Sequence, residues 1–296
     1  MSRTFPSKLL LFGEHILLKS APALAAPAPA WSGRWEQSTA VPPPPQWEQL
    51  RHLTPLLEQS GVPLRLADLR RDVEAGWYFP SNIPQGYGLG SSGALCAGLL
   101  ERYGDIPPDH ESARAVLSQI EGCFHGKSSG IDPLTSWVQR PLLVKGSHIT
   151  VLEQYTPPSD VTVFLADTQS PRQTGRLVQW FLEQWDQNSA FRTHLEEELL
   201  PAHQHLLSAW LSGDSTGFMD QLQQISRWQW QWMLPMRPVH EGIARWWTAA
   251  ADTGHTRLKI CGGGGGGLTL GFTTRPDDVR EYASVHDIQI IFPFAA

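Results

Sequence analysis

The chain has 296 residues, of which 41% are hydrophobic and 18% are charged, and its formal net charge is −6. A chain of this length and composition can bury a large core, as one domain or as two closely packed domains, so a disordered protein is excluded. The negative charge argues against a nucleic-acid partner or a membrane-surface partner, because both require a dense basic surface.

The cysteine content and the N-terminal apolar pattern predict a cytoplasmic protein. Three cysteines without CxxC spacing suggest neither a disulfide framework nor a zinc site. The apolar run "LLLFGEHILL" is too short and too interrupted for a signal peptide or a membrane span. We therefore expect no export and no membrane anchor.

The hydrophobic pattern predicts a mixed α and β protein. The segment "KLLLF" predicts a short buried strand, and the proline-rich stretch "APALAAPAPAWSGRW" predicts an extended edge or a loop, because proline lacks a backbone donor. The segment "VPPPPQWEQL" predicts a turn into a short helix. Further helices are predicted at 91–103, 111–123, 174–187, 190–212, 216–234 and 239–251, and further strands at 140–144, 148–153, 161–166, 257–260, 267–272 and 287–292.

Two stretches of unusual composition are interpreted as structural. The tract "GGGGGG" at 262–267 has the composition of a flexible linker, but it stands between the β-rich segments "RLKI" and "LTLGF". It therefore predicts a tight loop between two strands. In "RWQWQWMLPM", Trp228 and Trp232 share one helical face, which indicates packing between helices and not a base-stacking platform.

The segment "IPQGYGLGSSGALCAGLL" predicts a phosphate site. Gly86, Gly88 and Gly90 permit positive φ angles and close backbone approach, and a serine stands at a natural N-cap. The amides of the first helical turn carry partial positive charge, which favours an anion. A glycine-rich turn with an ordinary cap is the alternative.

Two standard nucleotide motifs are rejected on spacing. A dinucleotide fingerprint requires an acid about twenty residues further on at the end of a second strand, whereas the next acids here lie on or just after the helix. The segment "HGKSSG" at 125–130 has the end of a Walker A loop, but Glu121 stands where that loop requires its first glycine.

Two acids, Glu121 and Asp132, flank the same segment and are candidates for one site. Asp132 follows a turn of glycine and serine, so the two side chains can converge. Beside a phosphate site, one acid would bind magnesium and the other would act on the proton of a nucleophile. Solvated surface acids are the alternative.

Five segments in order carry a family resemblance. The segments "SKLLLFGEHILL", "IPQGYGLGSSGAL" and "LKICGGGGGGLTLGF" resemble the three motifs of the GHMP small-molecule kinases. The segments "EGCFHGKSSGID" and "DTQSPRQTGRLV" are similar to the mevalonate kinases of that superfamily. The resemblance implies a two-domain α+β fold, with a left-handed βαβ unit in an N-terminal domain over 1–150 and a ferredoxin-like C-terminal domain over 151–296.

The resemblance also implies roles for individual residues. It makes Lys8 and Asp132 the catalytic pair, where Asp132 is either the base or a group that positions the alcohol. It makes Ser92 and Glu121 the metal ligands, with Ser91 as the alternative if the register shifts by one. The implied phosphate-binding residues are Gly86, Gly88, Leu89, Gly90, Ser91, Ser92 and Gly93, and the implied acceptor-side residues are Glu14, His15, Arg172 and Thr174.

Several of these residues have structural alternatives, and the chain departs from the family pattern at three places. Lys8 can be a flanking surface lysine, His15 a packed histidine and Thr174 only a helix cap. Gly93 stands where alanine is usual, and Pro133 stands where asparagine often follows the aspartate. The proline-rich run replaces strand residues and leaves the contacts to the nucleotide base undefined.

The expected function is phosphorylation of a small alcohol by ATP with Mg²⁺, with mevalonate as the first acceptor. The enzymatic alternatives are a phosphomevalonate kinase, a sugar-type kinase and the related decarboxylase. The non-enzymatic alternative is a sensor of the same fold. We expect no nucleic-acid or membrane partner, and the sequence leaves the oligomeric state open, a homodimer included.

Overall fold

The computed structural model describes residues 3–40, 42–105, 107, 109–154, 156–171 and 174–294. Within these residues, ten strands are present: β1 (Thr4–Phe12), β2 (Ala23–Arg34), β3 (Glu36–Gln37), β4 (Trp77–Tyr78), β5 (Leu142–Lys145), β6 (His148–Val151), β7 (Thr162–Asp167), β8 (Thr256–Ile260), β9 (Leu268–Thr273) and β10 (Ile290–Ile291).

The described helices surround these strands. They are α1 (Pro45–Ser60), α2 (Leu66–Glu74), α3 (Ser91–Tyr103), α4 (His110–His125), α5 (Ile131–Val138), α6 (Thr174–Gln187), α7 (Ser189–His194), α8 (Leu200–Ser212), α9 (Ser215–Trp232), α10 (Glu241–Thr253) and α11 (Pro276–Val285). A π-helical segment, Leu195–Leu199, joins α7 to α8, so the helix predicted at 190–212 contains one wider turn.

Two four-stranded antiparallel sheets organise the chain. The first has the order β1-β2-β5-β6, and the second has the order β10-β7-β9-β8. In the second sheet, helices α6–α10 connect β7 to β8, and α11 connects β9 to β10. The spatial order of its strands is fourth, first, third and second, which confirms the ferredoxin-like arrangement within a two-domain α+β fold. The left-handed unit and the boundary near residue 150 stay predictions.

The proline-rich stretch is strand β2, so the loop alternative is wrong. The strand lies between β1 and β5 in the first sheet, but its proline-bearing part is extended and pairs on one side only, as an edge strand does. Only Ala23–Ala25 of β2 pair with β5, whereas Ala26–Ala28 pair with β1 alone, and Gly33 near the end of β2 also bridges Ser81. Pro27 lies opposite Lys8 in the part of β2 that has one partner. Proline is tolerated there because its missing N–H faces no second strand.

Aromatic side chains join the two sheets. The ring of Phe12, at the end of β1, stacks on Phe272 of β9 at a centroid distance of 5.6 Å. Trp210 and Phe218, from α8 and α9, pack against the same two rings. All of these side chains are buried, so the end of β1 is held against the second sheet. The residues that follow β1 therefore lie between the two sheets.

The packing prediction for the tryptophan stripe is confirmed within the described residues. Trp228 lies in α9, is 4% exposed and stacks on Trp232, as the packing interpretation requires. The three cysteines are free thiols. None of the helices in the described part of the chain has the length and apolar character needed to cross a bilayer.

Candidate active site

The predicted catalytic pair is in direct contact. The Nζ atom of Lys8 in β1 lies 2.7 Å from Oδ1 of Asp132, and the Lys8 side chain is 10% exposed. Asp132 stands in the first turn of α5, where the partial positive charge of the helix N-terminus favours a carboxylate. The structure therefore joins two residues that are 124 positions apart in the sequence.

The predicted phosphate loop borders a cavity of about 480 Å³. Gly90 has φ 73° immediately before α3, and the backbone N–H of Lys8 donates to the Leu89 carbonyl at 2.9 Å. The first-turn amides of α3 and the loop are thus held beside the catalytic pair. The lining includes six of the seven predicted phosphate residues: Gly86, Gly88, Leu89, Gly90, Ser91 and Ser92.

Gly93 is the exception, and the structure explains why a glycine stands there. It is buried, and a Cβ atom on it would lie 2.9 Å from the Asp132 carbonyl carbon and 2.9 Å from the Pro133 nitrogen. Such distances force a displacement. Two departures from the family pattern, Gly93 and Pro133, are therefore in contact with each other, next to the catalytic carboxylate.

Ser92 and Glu121 converge on the same cavity. The Ser92 hydroxyl donates to Oε1 of Glu121 at 3.1 Å, and the Ser128 hydroxyl donates to Oε2. A serine hydroxyl and a carboxylate are hard oxygen ligands, and Mg²⁺ is commonly bound by one or two protein groups together with phosphates and water. The donor set fits Mg²⁺, although the described residues contain no group of three or more His, Cys, Asp or Glu side chains that could bind a metal.

A second cavity, of about 220 Å³, is lined by Lys8. Glu14 and His15 line it together with Gly88 and the glycines at 262 and 263. The Glu14 carboxylate is paired with a buried lysine: its Oε1 atom lies 2.5 Å from Nζ of Lys259. The His15 ring nitrogen Nε2 lies 3.2 Å from the Gly263 carbonyl oxygen. Both acceptor-side predictions therefore fall at one cavity.

The other two acceptor-side predictions lie outside the described residues. These are Arg172 and the side chain of Thr174, whose backbone begins α6. The preceding residues are described: the Thr168 hydroxyl donates to the Gly267 carbonyl at 2.7 Å. The segment that leads to Arg172 is thus bonded to the loop that borders the second cavity.

The polyglycine tract is a tight loop between β8 and β9, as predicted. It needs glycine because a Cβ atom on Gly266 would lie 2.3 Å from the Pro171 carbonyl oxygen, and one on Gly264 would lie 2.8 Å from the Met236 side chain. The tract therefore fits between two other segments of the chain, and a flexible linker is excluded.

A third cavity, of about 620 Å³, adjoins the phosphate loop. The sequence patterns did not predict it. It shares Ser91 and Ser92 with the phosphate cavity. Its other lining residues include Gln46, Gln49, His52, Leu53 and Leu56 of α1, and Cys123 and Phe124 of α4. The apolar side of α1 could have indicated this cavity in the sequence. Leu56, a large hydrophobic residue on that helix, is 50% exposed and lines the cavity.

Tyr87 connects the phosphate loop to the second sheet. Burial and the Asp167 carboxylate, to which Tyr87 is hydrogen-bonded, raise the pKa of the Tyr87 hydroxyl. Asp167 is the last residue of β7, and it also accepts from the backbone N–H of Gln169 at 2.8 Å. The loop between Gly86 and Gly88 is therefore tied to both halves of the chain.

Comparisons with known proteins agree with this fold. Residues 58–138 match the GHMP kinases N terminal domain. A mevalonate kinase of Schizosaccharomyces pombe is 25% identical over 239 residues, which are 71% of this chain and 59% of the relative. A mevalonate kinase of Aspergillus fumigatus is 27% identical over 234 residues, which are 68% of this chain and 41% of the relative. The chain thus spans about half the length of the curated relatives that it matches.

Solved structures match the whole chain. The mevalonate kinase of L. major in complex with R-mevalonate superposes with a TM-score of 0.71 at 17% identity, covering 100% of this chain and 97% of that one. The phosphomevalonate kinase of Streptococcus pneumoniae in complex with phosphomevalonate and AMPPNP gives a TM-score of 0.68 at 15% identity, covering 99% and 98%. At these identities the likeness establishes the fold.

Proposed function

We propose that this chain is a GHMP kinase similar to the mevalonate kinases, and that it transfers the γ-phosphate of ATP to a small alcohol, with mevalonate as the acceptor. One observation carries the proposal. The Lys8–Asp132 pair stands between two cavities, because Asp132 lines the phosphate cavity and Lys8 lines the second cavity. A nucleotide and an acceptor bound in these cavities would meet at the pair.

The contacts support distinct tasks for the two residues. Asp132 would accept the proton of the acceptor hydroxyl as its oxygen bonds to the γ-phosphorus and the bond to the β-phosphate oxygen breaks. Lys8, at 2.7 Å, would hold that carboxylate in an ion pair and stabilise the developing alkoxide. Mg²⁺ bound by Ser92 and Glu121 would neutralise charge on the β- and γ-phosphates.

The third cavity suits the nucleoside. It adjoins the phosphate loop and is lined by apolar side chains with the amides of Gln46 and Gln49, which is the mixed lining of small-molecule sites. The proline-rich run had left the base contacts undefined, but that run is strand β2, and the candidate base contacts come from α1 and α4.

Mevalonate is proposed over other alcohols for two reasons. Both curated relatives above are mevalonate kinases. In the sequence, Arg172 also follows Thr168, whose hydroxyl donates to Gly267 of the glycine loop that borders the second cavity. An arginine at that position is suited to a bidentate pair with the carboxylate of such an acceptor. We place the reaction in the cytosol, where free thiols are maintained.

The experiment that tests the function is a coupled ADP-release assay on the purified protein. Mevalonate, phosphomevalonate, homoserine and galactose are offered separately with ATP and Mg²⁺. We expect release with mevalonate well above the rate without acceptor. If ADP is released only with phosphomevalonate or only with galactose, the protein is a GHMP kinase with a different acceptor. Nucleotide binding without release for any acceptor would favour the sensor.

A thiol-labelling experiment tests the nucleoside cavity without relying on turnover. Cys96 and Cys261 are buried, and burial raises the pKa of the Cys96 thiol well above its ordinary value. Cys123 is partly exposed and lines the third cavity. Because thiol reactivity follows exposure and thiolate character, iodoacetamide should modify Cys123 first. Saturating AMPPNP should slow that modification about tenfold or more, as read by peptide mass spectrometry, because a bound nucleoside removes access.

The control for this experiment is the Cys123→Ser variant, treated with iodoacetamide with and without AMPPNP. Because this variant lacks the reactive thiol, the fast modification should be absent in both cases. Labelling of Cys123 that proceeds at the same rate with bound AMPPNP would show that the nucleoside lies elsewhere.

A further inference from the structure

We propose that Lys127 binds the terminal phosphates of the nucleotide, and this inference rests on the proposed kinase function. Lys127 belongs to "HGKSSG", the segment that fails as a Walker A loop. In the fold, however, Lys127 lines the same cavity as the phosphate loop, Glu121 and Asp132. Lys127 therefore lines the phosphate cavity from the loop between α4 and α5, although it does not belong to a Walker motif.

The backbone beside Lys127 is fixed to α4 and α5. The Ser118 hydroxyl of α4 donates to the Ser128 carbonyl at 2.7 Å, and the backbone N–H of Gly130 donates to the Ser128 hydroxyl at 2.9 Å. The Arg114 guanidinium donates to the Ser129 carbonyl at 3.0 Å. The main chain next to Lys127 is thus held on the wall of the cavity, and only the flexible side chain has to be ordered on binding.

The charges around the cavity require a cation. Its lining contains two carboxylates, Glu121 and Asp132, and Lys127 is the only lysine or arginine among the described lining residues. Lys8 is engaged with Asp132 and lines the second cavity. A nucleotide triphosphate would bring several further negative charges. The helix amides and a metal ion held by Ser92 and Glu121 would offset part of this charge, and Lys127 would supply a mobile positive charge as well.

The alternative is an ordinary solvated lysine. Lys8, Lys19 and Lys259 are held in ion pairs with carboxylates, whereas among the described residues Lys127 is not. Lys145 is also exposed, but it stands at the end of β5 in a hairpin and lines no part of the phosphate cavity. Lys145 is therefore a matched control for the loss of one surface charge.

The test is nucleotide binding by isothermal titration calorimetry. Wild type, Lys127→Gln, Lys127→Arg and Lys145→Gln are titrated with AMPPNP and with ADP, each with Mg²⁺, and with AMP. We expect Lys127→Gln to weaken AMPPNP binding about tenfold, which corresponds to about 1.4 kcal/mol. AMP binding should be unchanged, Lys127→Arg should retain most of the affinity, and Lys145→Gln should behave as wild type. Higher salt should reduce the difference between wild type and Lys127→Gln.

The ADP titration locates the contact. A loss for AMPPNP alone assigns Lys127 to the γ-phosphate, and an equal loss for ADP assigns it to the β-phosphate. Equal AMPPNP affinities of wild type and Lys127→Gln would overturn the inference and leave the kinase function intact. An equal loss for AMP would also overturn it, because the effect would then lie outside the terminal phosphates. If wild type binds no nucleotide, both proposals fail.

Discussion

Replacing Asp132 with asparagine is expected to lower kcat by about 10²- to 10⁴-fold, with little change in ATP affinity. The amide has nearly the same shape as the carboxylate, but it cannot accept the proton of the acceptor hydroxyl. It also removes the charge that pairs with Lys8 at 2.7 Å. The measurement is steady-state kinetics of the ADP-release assay, together with AMPPNP titration of the same variant.

Two further variants are measured beside Asp132→Asn: one controls for the loss of a surface carboxylate, and the other tests the partner of Asp132. Asp105→Asn removes a carboxylate whose side chain is fully exposed, and it should leave kcat unchanged. Lys8→Met should also slow turnover sharply, since the alkoxide and the Asp132 carboxylate lose their cation. Near-normal turnover of Asp132→Asn would remove this carboxylate from the chemistry, and an effect of Lys8→Met on KM alone would make Lys8 a binding residue.

Replacing Lys259 with methionine is expected to destabilise the protein by about 3–5 kcal/mol. The side chains of Lys259 and Glu14 are each 2% exposed, and the Lys259 ammonium also donates to the Leu11 and Ile260 carbonyls. Methionine has a similar length but leaves the Glu14 carboxylate buried without its counter-charge. Urea unfolding followed by circular dichroism measures the free energy of unfolding of each variant.

A double-mutant cycle separates the ion pair from simple packing. If the penalty comes from the buried Glu14 charge, Glu14→Gln should recover part of the stability lost in Lys259→Met. Additive losses in the double variant, or a Lys259→Met variant as stable as wild type, would contradict this explanation. The pair links the loop after β1 to β8, so its loss should also weaken binding of the acceptor at the second cavity.

Local patterns predicted most elements of the fold. The predicted helix at 91–103 coincides with α3, and the predicted strands around the glycine tract are β8 and β9. Helices α2, α5 and α11 were missed. Helix α5 has only eight residues and contains a proline in its first turn. Its hydrophobic periodicity is therefore too short to distinguish a helix from a continuation of the preceding turn. The prolines of β2 indicated an edge, and the proline-bearing part does pair on one side only. That the start of the same strand also pairs with β5, in the middle of a sheet, could not be predicted from the local sequence.

The hydrophobic pattern of the sequence predicted the mixed fold, and the resemblance of its ordered motifs to the GHMP kinases implied the Lys8–Asp132 pair, because both depend on residue types and their order along the chain. The tertiary structure decided which distant groups meet. It brings Lys259 to Glu14 across 245 positions and places Lys127 on the wall of the phosphate cavity. Nothing in the local sequence distinguishes Lys127 from a solvated lysine, or Lys259 from any other lysine in a strand. Their roles arise from burial and from the charges that folding places around them, and these are properties of the packed chain.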